Sequence, residues 1–223
     1  MRTRNHSVHP GIHPATLNVL WLGVGILVLV ACASTGMQRS AKSTASMQTV
    51  DSDIKQALLQ VDVTNASLEN LIRPGQLDAK KAFDHYSGNV AKMEGKGQLL
   101  VKHIDEMSAR RLDYFAEWEK QGNTYANAEI RELSEQRRAD LSAIFAEIPA
   151  ASVGVKGALN TYLSDIREIQ KYLSNDLTSK GIESITPTAQ KAVDDGAELK
   201  ETVKPVVAAI ERARAETVQG GAQ

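Results

Sequence analysis

From Phe83 to Trp118 one sequence feature restricts the fold more than any other. Phe83, Tyr86, Val90, Met93, Gly97, Leu100, Ile104, Met107, Arg111, Tyr114 and Trp118 follow one another at alternating intervals of three and four. Only an α-helix places residues so spaced on one face. Sustained this long, the pattern is a heptad seam that needs a partner helix. It predicts a helix over about Leu77–Lys120, roughly 65 Å long. Gly95 and Gly97 inside it suggest a kink or a close helix crossing, and Gln121-Gly122-Asn123 ends it.

The same spacing recurs on both sides. Val50, Ile54, Ala57, Val61, Thr64, Leu68 and Leu71 predict a helix over about Met47–Ile72, stopped by Arg73-Pro74-Gly75. Ala126, Ile130, Leu133, Arg137, Leu141, Ile144 and Ile148 predict a third over about Tyr125–Ile148, with a stutter at Arg137 and Pro149 closing or kinking it. Val155, Leu159, Tyr162, Ile166, Ile169 and Leu173 predict a fourth over about Val155–Leu177. A fifth opens at Thr186-Pro187, an N-cap and first-turn pair, and runs to about Glu216 on Ala192, Gly196, Leu199, Val203, Val206, Ile210 and Ala213. Pro205 should bend it. No segment alternates with a period of two. The expected fold class is all-α, an elongated antiparallel bundle or coiled coil of four to five helices joined by short connections.

Ahead of the helices lies a different kind of sequence. Arg2 and Arg4 precede an uncharged apolar run from Leu17 that ends in Leu29-Val30-Ala31-Cys32. A branched apolar residue three before the Cys and a small one directly before it look like a bacterial lipobox. Diacylglycerol is attached there through a thioether, which needs a thiol, and Cys32 is the only Cys in the chain. One Cys also excludes a disulfide framework and any multi-thiolate zinc site. Residues 1–31 are therefore expected to be a lipoprotein signal peptide. Residues 32–46 (Ser/Thr/Ala-rich) read as a flexible tether, residues 47–217 as the helical body, and residues 218–223 as a frayed tail. By resemblance to Gram-negative lipoproteins, Ala33 implies sorting to the outer membrane, facing the periplasm. The competing reading keeps Leu17–Ala33 as an uncleaved anchor, 17 residues being at the short limit for a span. Either way the body lies outside the cytoplasm.

The segment Tyr114-Phe115-Ala116-Glu117-Trp118-Glu119, followed by Tyr125-Ala126-Asn127, Ile130-Arg131 and Arg137-Arg138, resembles a proteobacterial family catalogued as domain of unknown function 2959. The resemblance is strongest over Phe115–Arg138 and extends weakly to Tyr162–Asp165 and Tyr172–Asn175. The long stretch before the apolar run departs from the family. The resemblance implies a lipoprotein-type leader, an envelope location and a helical form, and it implies no activity.

Sites for chemistry are sparse. His85 and His103 are the only histidines after the leader and stand 18 residues apart, about 27 Å along one helix, so they cannot share an ion unaided. No metal site and no cofactor are expected. Asp105/Glu106, Glu117/Glu119 and Asp194/Asp195 read as solvated helix faces, since adjacent helical positions point apart. No nucleophile motif and no phosphate loop stand in a suitable context. The cluster Trp118, Tyr125, Asn127 and Arg131 is the best candidate site. It reads either as a partner contact, because Trp, Tyr and Arg dominate binding hot spots, or as a hairpin tip in which Trp118 closes the seam and Asn127 satisfies turn backbone. Arg110/Arg111 and Arg137/Arg138 are expected to pair with acids on neighbouring helices.

The near-neutral balance, −1 overall and −3 once a leader with Arg2 and Arg4 is removed, argues against nucleic acid as a partner. The expected function is therefore that of a non-enzymatic outer-membrane lipoprotein. Its helical body would be a structural or partner-binding module, held to the membrane through Cys32. It would meet a periplasmic protein, a cell-wall polymer or a second copy of itself. The alternatives are a periplasmic regulator of an envelope enzyme, or a coiled-coil protein anchored in the inner membrane.

Overall fold

The computed structural model describes residues 36–219, apart from the side chains of Met37, Val218 and Gln219. The expected signal peptide, Cys32 and the last four residues of the expected tail lie outside the described residues. Four helices follow in order: α1 (Gly36–Ile72), α2 (Ala79–Gly122), α3 (Ala128–Asn175) and α4 (Ser179–Gln219). Among the described residues there is no strand. At 1.5 Å per residue the helices are about 55, 66, 72 and 62 Å long. α1 packs on α2 and α4, and α3 packs on α2 and α4.

Cross-helix bonds fix an antiparallel register on all four sides. Gln60 on α1 donates to the Asn89 carbonyl on α2, and Arg39 donates to Gln121. Glu94 and Glu119 on α2 meet Arg167 and Arg138 on α3. Asp165 on α3 meets Lys191 on α4, and Arg137 meets Glu216. Asp62 on α1 meets Lys200 on α4. Each exposed pair contributes about 0–1 kcal/mol, so they record register more than they stabilise it.

The stabilising element is the seam. In α1 all seven expected positions from Val50 to Leu71 are buried. In α4 the expected run from Ala192 to Ala213 is buried, as is the α3 run from Val155 to Leu173. Burying side chains of this size stabilises by roughly 1.5–3 kcal/mol each. By length and composition α3 is apolar enough to cross a membrane. Its buried Leu141, Phe145, Ile148, Val155 and Leu159 nevertheless belong to the packed core.

Several expectations need correction. The tether is helical from Gly36 onward. Ser43 and Ser46 are buried there, and Ser43, Met47 and Val50 continue the four-and-three spacing upstream. Small hydroxyl residues filled seam positions and made the composition read as a linker. Likewise Val218 and Gln219, expected in the tail, belong to α4.

Of the four to five helices expected there are four among the described residues: the third and fourth segments are one helix through Pro149, and the last helix starts before Pro187. Pro149 lies within α3, and Pro187 and Pro205 lie within α4. An interior proline costs about 3 kcal/mol and orphans the carbonyl four residues back. In α4 both prolines, and the Glu183 and Glu201 whose carbonyls they strand, are exposed. Water can satisfy those carbonyls while the opposite face stays packed. The expected cap at Thr186 is also displaced. Thr186 donates its hydroxyl to the Ile182 carbonyl within the helix. Thr178 is the residue that caps α4, accepting from the Gly181 amide at 3.1 Å.

Candidate functional site

The α2–α3 turn collects the sequence-derived candidates. Asn127 caps α3: its side-chain oxygen accepts from the amides of Glu129 at 2.9 Å and Ile130 at 3.3 Å. The Arg131 amide closes the first helical turn onto the Asn127 carbonyl. Trp118 leans inward and donates its indole N–H to the Ser134 hydroxyl at 3.0 Å. Gly122 is buried beneath this contact. A Cβ there would stand 3.3 Å from the Ser134 oxygen, so its absence lets α3 close on α2. Tyr125 and Arg131 are exposed. Trp118 and Asn127 thus build the turn, while Tyr125 and Arg131 project from it.

An aromatic clamp lies behind the tip. Phe115 packs edge-on against Phe145 at 5.6 Å, and Tyr114 packs edge-on against both Phe115 and Trp118. Phe115 is the more buried residue, although the expected seam ran through Tyr114. The α2 seam therefore steps Met107, Arg111, Phe115, two intervals of four in succession. The stutter expected in α3 at Arg137 belongs to α2.

In α3 the seam is uninterrupted and displaced by one residue. It passes through half-buried Ser134 and Arg138, then Leu141, Phe145, Ile148 and Ser152. Ala126, Ile130, Leu133 and Arg137 are exposed. Ser134 and Arg138 can occupy the seam because Trp118 and Glu119 on α2 satisfy them, the latter pair at 2.8 Å. Arg138 thus meets an acid on a neighbouring helix, as expected, but its place in the seam and that of Ser134 were not read, because nothing local marks a polar seam residue that has a distant partner.

A second cluster was not foreseen. Toward the end of the body that carries the α1–α2 turn, polar groups from all four helices meet. Tyr162 on α3 donates to the Asn65 side-chain oxygen on α1 at 2.7 Å, and Asn65 donates to the Val193 carbonyl on α4 at 3.0 Å. Tyr86 on α2 donates to the Ile166 carbonyl on α3 at 2.7 Å. Both tyrosines are fully buried, and burial pushes both phenols well above their ordinary value of about 10. Thr64 and Asn89 are buried beside this set. Gly196 makes room for it, since a Cβ there would lie 2.6 Å from the Asn65 amide nitrogen. A polar layer of this kind fixes helix register.

The remaining candidates resolve into surface pairs. His103 meets Asp53 across α1 and α2 at 2.5 Å, and His85 is exposed elsewhere on α2. Asp105 pairs with Lys156, Glu106 with Lys102 and Arg110, Glu117 with Lys120, and Asp195 with Lys191. Arg110 therefore pairs within its own helix, not with a neighbour. Among the described residues no group of three or more His, Cys, Asp or Glu is placed to hold a metal ion. Around the same end as the tip, Gly36, Ala41, Ala45, Tyr114, Trp118 and Leu141 line an open groove of about 640 Å³.

No family model, no curated protein and no solved structure matches this chain.

Proposed function

We propose that this chain is a non-enzymatic outer-membrane lipoprotein. Its body is an elongated antiparallel bundle that serves in the periplasm as a structural or partner-binding module. The observation that carries the reading is the position of Gly36. The chain is already helical there, four residues beyond the lipobox cysteine, so at most three residues separate the anchor from a body about 60 Å long. A stiff body joined so closely to a lipidated residue holds its far end at a set distance from the membrane. Its seams close within one chain, which leaves the outer faces for a partner. The resemblance over Phe115–Arg138 to domain of unknown function 2959 fits the same reading, as does the leader that goes with it.

Metabolic labelling with a clickable fatty acid, followed by membrane fractionation, tests the proposal. Wild type should carry label and sediment with the outer membrane, and Cys32→Ala should carry none. An unlabelled wild-type chain in the inner membrane would replace the lipoprotein with an anchored coiled-coil protein.

A further inference from the structure

We propose that the α2–α3 tip is a membrane-contact surface that dips into the lipid interface beside the anchor; the proposal rests on Cys32 as the point of attachment. Two observations place the tip at that end. Arg39, seven residues after Cys32, bonds to Gln121 at the end of α2 at 3.0 Å. From Cys32 to Gly36 an extended chain reaches at most about 14 Å.

The tip also exposes apolar side chains that the fold could have buried. Tyr125 is 42 % exposed, Ile130 49 % and Leu133 61 %. Ile130 and Leu133 are three apart on one helical face, the face displaced from the seam by Ser134 and Arg138. Counted from Ala128, they lie roughly 3 and 7.5 Å along the helix. An interfacial element penetrates about 5–10 Å into the headgroup and acyl boundary, which would cover both. Tyr is a side chain that favours the membrane–water interface.

Charge does not drive the contact. Glu129, Glu132 and Glu135 share the first turns of α3 with Arg131. The contact should therefore depend on apolar area and little on anionic lipid.

The test uses the full lipidated chain reconstituted in phosphatidylethanolamine vesicles, with or without phosphatidylglycerol. Leu133→Cys, labelled with a polarity-sensitive fluorophore, should show blue-shifted emission and quenching by brominated lipid. Leu77→Cys, at the opposite end of the body and fully exposed, should show neither. In unlabelled protein, vesicles should slow tryptic cleavage after Arg131 several-fold, and Ile130→Ser/Leu133→Ser should restore the cleavage. Water-like emission at position 133 in protein that floats with the vesicles would overturn the tip contact alone. A chain that does not float would overturn the anchor and the tip contact together.

Discussion

The phenol of Tyr162 and the side-chain amide of Asn65, 97 residues apart in sequence, share a 2.7 Å hydrogen bond in the core of the helical body. Asn65 continues the chain of bonds to the Val193 carbonyl. Three helices are thereby held at one level, by groups that cost free energy whenever the register slips and leaves them unpaired. Tyr162→Phe should lower unfolding free energy by about 1–2 kcal/mol, measured by urea denaturation. A double-mutant cycle with Asn65→Ala should give a coupling of about 0.5–3 kcal/mol. Strictly additive effects would mean the pair does not act as a unit.

Two glycines should respond in opposite directions. Gly95 has open space where a Cβ would stand, so Gly95→Ala should stabilise by up to about 1 kcal/mol through helix propensity. Gly196→Ala gains the same propensity but drives a methyl group into Asn65 and Tyr162. Overpacking typically costs about 1–3 kcal/mol, so a net loss is expected. Thermal melts of the two variants beside wild type read the sign directly.

The indole of Trp118 holds the tip through Ser134 and the aromatic clamp. Trp118→Ala should cost about 3 kcal/mol, the lower end for such truncations because the ring is only half-buried. Trp118→Phe keeps the ring packing and loses the hydrogen bond, for about 1 kcal/mol. Near-ultraviolet circular dichroism with denaturant titration separates the two.

Alkaline pH should unfold the protein. Tyr86 and Tyr162 have folded-state values raised by burial above about 10, their ordinary value. Above that pH the unfolded chain releases phenolic protons that the folded chain keeps, so stability falls as pH rises. Below it the contribution is fully present. Each tyrosine adds a slope of about 1.4 kcal/mol per pH unit. Tyrosinate absorbance should rise together with the loss of helical dichroism. Tyr86 and Tyr162 titrating near 10 in a chain that stays helical would contradict their burial.

Residues that repeat were legible in the sequence, and residues that depend on a distant partner were not. Val50 through Leu71 and Ala192 through Ala213 could be read as buried because the spacing alone orients them. Ser43 and Ser134 were missed, and Arg138, which pairs with an acid on a neighbouring helix as expected, was not placed in the seam. Their place in the seam depends on small size or on Trp118 and Glu119, which local sequence does not reveal. Pro149 and Thr186-Pro187 looked like boundaries because one missing amide is a strong local signal. Packing of the helix on both sides of the proline outweighs it. Asn127 at the tip was legible as a turn residue, since its capping bonds are to its own next residues. Tyr86, Thr64 and Tyr162 were legible as seam positions, but their pairing into a polar layer with Asn65 was not, because its partners come from separate helices.

Mass spectrometry of the N-terminal peptide of membrane-extracted protein tests the central claim most directly. The account predicts a peptide that begins at Cys32 and carries a thioether-linked diacylglycerol. An unmodified Cys32 within a peptide that still contains Leu17–Ala33 would contradict it.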